Sequence, residues 1–161
     1  MRKRSFTLFI LIVLALAGCS SGSRLIFEDE DIKIKLTAFQ VKEDYTEYEI
    51  EVKNDGKVEV RNLNFYLSFP VITTSGTSEN PFKLEGRTGR DRPVVLSPGE
   101  KTIYTFKAPI QKVFGDSKLL NFNQPFVDLN GTILYKKKEI PFSKGMGLGL
   151  VEDSDKESSS Q

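Results

Sequence analysis

Arg87, Arg90 and Arg92 stand in one short stretch among Gly86, Gly89 and Pro93. Guanidinium forks pair bidentately with phosphate and carboxylate. The stretch is therefore a candidate anion-binding loop, fit for teichoic acid, a lipid head group or an acidic partner. Glu85 and Asp91 flank it, and the plain alternative is a solvated loop with its charge partly offset. Lys136, Lys137 and Lys138 form a second basic run. Close to an anionic bilayer each lysine would contribute about 1 kcal/mol; on a hairpin tip the same run guards against strand-to-strand aggregation. Glu47, Glu49 and Glu51 alternate with Tyr48, Ile50 and Val52. Glycoside hydrolysis needs carboxylates facing each other across a cleft, whereas this alternation reads as the wet face of one strand. Glu28 to Asp31 is an acidic run that lacks the alternation and the glycine of a calcium loop, which leaves a solvated linker.

The missing residues narrow the chemistry further. The chain has no histidine. Serine or cysteine nucleophiles activated by histidine are thereby excluded, as are zinc sites of the H-E-x-x-H kind. Cys19 is the only cysteine, so no intramolecular disulfide can form. Expected cofactors and metals are none.

Cys19 has a context of its own. Arg2, Lys3 and Arg4 give a positive start, and Phe6 to Ala17 is apolar except for Thr7. A helix rises about 1.5 Å per residue, so this run is too short to cross a hydrocarbon core of roughly 30 Å comfortably. It has the form of a cleaved secretory signal. Leu16-Ala17-Gly18-Cys19 resembles the lipobox of bacterial lipoproteins. The resemblance implies cleavage before Cys19 and a covalent diacylglyceryl group on its thiol, giving a palmitate-type membrane anchor. Two acyl chains suffice for stable anchoring where one does not. The implied location is the extracytoplasmic face of a cell membrane. The leader carries three of the 23 basic residues and none of the 22 acidic ones, which leaves the mature chain at a net charge of −2. That balance argues against nucleic acid as a partner.

The elements that must position these residues read as strands. Residues 1–18 are the signal, 19–31 the lipidated anchor and linker, 32–150 the domain, and 151–161 an acidic, serine-rich tail expected to be disordered. Period-2 alternation marks strands over 32–38 and 47–53. Asn54-Asp55-Gly56-Lys57 supplies a turn through positive φ, and Val58 and Val60 begin the return. The alternation changes phase at Arg61-Asn62, which predicts a bulge. Residues 73–93 are a long polar connection, either functional or mobile, with a brief edge strand at Phe82 to Leu84. Val94 to Leu96 is a short strand. Ser97-Pro98-Gly99-Glu100 has type II turn chemistry, and a strand follows to Pro109. A helical turn is expected at Lys112 to Phe114, a strand at 126–135, a hairpin at 136–139, a return at 140–142, and an edge strand carrying Gly145, Gly147 and Gly149 on one face.

Short strands with frequent turns and no long helix predict an all-β, antiparallel β-sandwich. The Asn54-Asp55-Gly56 and Leu96 to Glu100 turns resemble those of immunoglobulin-like modules on bacterial surfaces. The resulting expectation is a non-enzymatic binding or scaffolding module for an envelope protein or polymer. A carboxylate-dependent hydrolase and a small-ligand carrier remain the alternatives.

Overall fold

The structure, a computed structural model, describes residues 27–115 and 117–149. The signal, Cys19 and the acidic tail lie outside those residues. Two antiparallel sheets face each other. The first has the order β1–β2–β7, built from Ile32–Val41, Thr46–Asn54 and Lys101–Ala108. The second has the order β6–β3–β8–β9, where β3 is Val60–Ser68, β6 Leu84–Glu85, β8 Phe126–Tyr135 and β9 Lys138–Gly147. A small hairpin of β4 (Val71–Thr73) and β5 (Gly76–Ser78) follows β3, and helix α1 (Ile110–Phe114) follows β7. Three strands in one sheet and three longer strands plus a short edge in the other is an immunoglobulin-like arrangement.

Alternation decides which side chains meet between the sheets. On β2, Thr46, Tyr48, Ile50, Val52 and Asn54 are buried and the residues between them are half-buried. Tyr104 and Phe106 of β7 stand beside them in the same sheet, and Val60, Leu63, Phe65 and Leu67 of β3 with Val127, Leu129 and Ile133 of β8 oppose them. Phe65 packs edge-on against Tyr104 and Phe106 at ring separations of 5.2 and 5.3 Å, the geometry that aromatic quadrupoles favour. Glu47 and Glu51 take the wet face. Lys42 hydrogen-bonds Glu47 and holds its carboxyl below the usual range, and Lys101 reaches Glu51 at 2.7 Å.

The turn at Asn54 differs from the expectation. It does not fold the chain back beside β2, because β3 pairs with β6 and β8 and so belongs to the opposite sheet. Nor does it use positive φ at Asp55 or Gly56. The fully buried Asn54 side chain holds the crossing instead. Its Nδ2 donates to the carbonyls of Val58 (2.8 Å) and Leu96 (3.0 Å), and its Oδ1 accepts from Gly56 N (3.0 Å). Val94 to Leu96 is likewise no strand, and meets β3 through a bridge between Val60 and Leu96 and a hydrogen bond from Leu63 N to Val94 O.

Other local signals appear where expected. The register of β3 on β8 slips between Arg61 and Asn64, with Asn62 at φ 53°. Gly99 takes φ 83° and Glu100 N donates to Ser97 O at 3.0 Å, as a type II turn requires. Lys136 and Lys137 have φ 47° and 65°, which makes a two-residue hairpin between Tyr135 and Lys138. The returning strand is longer than expected, running unbroken to Gly147. Phe27 to Asp31, assigned to the linker, fold onto the body: the Phe27 ring lies 4.9 Å from that of Phe142, and Asp31 O accepts from Asp55 N at 2.7 Å.

These registers give the sandwich two distinct ends. Ile32, Asn54, Gly99 and the lysine hairpin share one. Val41, Thr46, Ser68, Ala108, Phe126 and Gly147 share the other.

Candidate functional site

The end opposite the lysine hairpin carries a groove of about 390 Å³ lined by Ser68, Pro70, Thr77, Ser78, Glu79, Asn80, Phe126 and Asp128. Its floor is the outer face of the second sheet, where Ser68 on β3 is the register partner of Phe126 on β8. Its wall is the segment from β5 to Asn80. Asn80 fixes that wall: its buried side chain donates to Phe69 O at 2.9 Å and accepts from Phe82 N at 3.0 Å. Lys83 crosses from wall to floor. Its Nζ lies 2.9 Å from Glu79 Oε1 and 2.7 Å from Asp128 Oδ2. The carboxylates of Asp128 and Glu79 together raise the Lys83 pKa above its usual value.

Phe126 sits on bare backbone. A Cβ at Gly145 would meet its ring at 2.8 Å, so only glycine permits the ring to lie there. Gly147 is the register partner of Phe126 and Gly145 that of Asp128. Gly145 alone backs the ring, since a Cβ at Gly147 would meet nothing within 4 Å. Glycine inside a strand weakens it, and commonly marks a close approach.

Beyond the groove, the same end exposes apolar side chains. Ile72, Phe82, Val113 and Leu119 are 46%, 54%, 56% and 69% exposed. Ile72 N donates to Leu119 O at 2.8 Å, and the Phe82 ring is 6.1 Å from Phe114. Phe39 and Val41, at the same end of the sandwich on β1, are also exposed. Among the described residues, Ile103 and Ile140 are the exposed large hydrophobics that lie elsewhere.

Of the three arginines proposed as an anion grip, Arg90 and Arg92 have partners within their own segment. The chain changes sheets at Gly86, whose N donates to Phe65 O at 2.8 Å, while Arg87 exchanges backbone hydrogen bonds with Thr105 on β7. Arg90 turns inward, donating to the carbonyls of Val95 (3.2 Å) and Lys101 (3.0 Å). Arg92 pairs with Glu85 at 2.6 Å. Two of the three guanidiniums are thus engaged in holding their own loop. This loop runs down the β7 edge, away from the groove.

The two acidic residues that do meet, Glu79 and Asp128, were not among the expected site residues. They lie far apart in sequence, and only the β3–β8 pairing and the hairpin bring them to one ammonium. The alternating glycines were the visible hint. Among the described residues no group of acidic or cysteine side chains is arranged to hold a metal ion, and no helix is long and apolar enough to cross a membrane.

No family model matches the chain, and no curated protein matches it. Among solved structures it is similar to a chain described as "Crystal structure of protein from Archaeoglobus fulgidus", at 14% identity, with 73% of this chain and 94% of that chain covered and a TM-score of 0.33. A likeness of that degree has no bearing on function.

Proposed function

We propose that this protein is an exported lipoprotein, tethered through a diacylglyceryl group on Cys19 to the extracytoplasmic face of a membrane, whose sandwich is a non-enzymatic binding or scaffolding module for an envelope protein or polymer. The tether rests on the Leu16-Ala17-Gly18-Cys19 signal and the apolar run before it. The observation that carries the binding role is the concentration of exposed apolar side chains beside the groove at one end of the sandwich. Scattered surface hydrophobics need no explanation, but their gathering at one end supports a contact surface there.

The hydrolase alternative fits the groove less well. A glycosidase acid must carry a proton and give it up. Glu79 and Asp128 instead both accept from the Lys83 ammonium. Site-specific photocrosslinking in intact cells tests the binding role. A photoreactive residue at Ile72 or Leu119 yields a discrete adduct with an envelope component, and one at Lys137, at the opposite end, does not. Equal adducts at both ends, or none at either, refute the assignment.

A further inference from the structure

We infer that the groove between the outer face of the second sheet and the β5–Asn80 wall is a glycan-binding site that takes a short stretch of an uncharged, polyhydroxylated sugar chain. The inference rests on the binding reading above and narrows it to one ligand class at one place. A sugar ring has an apolar C–H face and a rim of hydroxyls that both donate and accept. The groove offers both surfaces. Phe126 supplies an aromatic ring backed by Gly145, where a Cβ would come within 2.8 Å of it. The half-buried ring packs on the Gly145 backbone and lines the groove. Around it stand the hydroxyls of Thr77 and Ser78 and the carboxylates of Glu79 and Asp128, which accept from hydroxyl donors and whose hydrogen bonds are charge-assisted. The volume falls in the usual range of small-molecule sites, and the lining is mostly polar around Phe126 and Pro70, which suits a ligand rich in hydroxyls.

Charge selects the ligand class. Lys83 contacts both carboxylates, so the groove carries one positive and two negative groups. The residual negative charge repels phosphate and carboxylate polymers. The arginines that would attract such polymers lie on the β7 edge and are partly engaged with their own loop. A neutral glycan meets neither obstacle. Its hydroxyls satisfy the carboxylate lone pairs that Lys83 leaves open.

Titration of the detergent-solubilised full chain with chitotetraose and, separately, cellotetraose, followed by NMR or calorimetry, tests this directly. At least one of the two binds, with shifts confined to the groove. Phe126→Ala weakens binding at least tenfold. Because that variant removes packing against Gly145, a second variant guards against misreading. Glu79 lies on an exposed wall, so Glu79→Ala keeps the wild-type melting temperature and loses binding several-fold. Arg87, Arg90 and Arg92 changed together to Ser leave it unaltered. No binding of either oligosaccharide, or binding indifferent to both Phe126→Ala and Glu79→Ala, overturns the inference. Crosslinking at Ile72 without oligosaccharide binding refutes the glycan groove alone. Oligosaccharide binding by a chain that gives no crosslink and carries no lipid refutes the anchored-module reading alone.

Discussion

Gly86 is the residue on which the two halves of the 79–93 segment turn, and replacing it with alanine has a calculable effect. A Cβ there would stand 2.7 Å from Phe106 Cζ, 2.9 Å from its Cε1 and 3.1 Å from Tyr104 Cδ1. Those rings cannot retreat easily. Both pack edge-on against Phe65, and both are 1% exposed. Overpacking a tight core costs about 1–3 kcal/mol. Gly86 lies outside the left-handed region, so the substitution adds no backbone strain and recovers about 0.4–1 kcal/mol by restricting the unfolded chain. The net expectation is a loss of about 1–2 kcal/mol. At roughly 4 °C per kcal/mol for a domain of this size, Tm falls by about 4–8 °C. Gly89→Ala is the internal control. Nothing lies within 4 Å of a Cβ at Gly89, so only the unfolded-state term remains and stability is unchanged or slightly raised. Urea unfolding of the two variants side by side reads the difference. A Gly86→Ala protein as stable as Gly89→Ala would refute the placement of the sheet crossing against Phe106.

Asn54→Ala removes hydrogen bonds to the Val58 and Leu96 carbonyls and from Gly56 N. At about 1 kcal/mol for each it costs about 2–4 kcal/mol, read as a lower urea midpoint; a loss under 0.5 kcal/mol, the size of an ordinary surface change, contradicts its role. Burial raises Tyr48 and Tyr104 to about 12. The folded state then holds a proton that the unfolded state, with a pKa near 10, gives up. This stability is complete below pH 10 and is lost as the pH rises through about 12. Thermal melts between pH 9 and 12 show a steep fall, which Tyr48→Phe and Tyr104→Phe each flatten; an unchanged slope in both refutes it.

What the sequence made legible was local. Tyr48, Ile50 and Val52 alternate with glutamates, and that alone places β2 with one face buried. Pro98-Gly99 specifies its turn through φ, and the phase change at Arg61-Asn62 marks a bulge because a one-residue slip moves every later side chain to the other face. The sheet partner of β3 was not legible. A turn at Asn54 reports a change of direction, but the same residues serve a hairpin or a crossing between sheets. What decides is the Asn54 side chain reaching Leu96, 42 positions away. The groove was hidden for the same reason. Glu79, Lys83 and Asp128 become one cluster only through long-range strand pairing. The arginine spacing suggested convergence, yet spacing does not reveal that Arg90 already donates to two backbone carbonyls. The glycines at 145 and 147 were visible as an alternation; that Gly145 clears space for Phe126 needed the pairing of β9 on β8.

The central claim of the functional account, the membrane tether, hangs from Cys19, so its lipid is the most direct test. Cells expressing the full chain are fed an alkyne analogue of palmitate, and the protein is recovered from membrane and soluble fractions. The account predicts label on the wild-type protein in the membrane fraction, and neither label nor membrane retention for Cys19→Ala. An unlabelled wild-type protein, or equal labelling of the two, would contradict it.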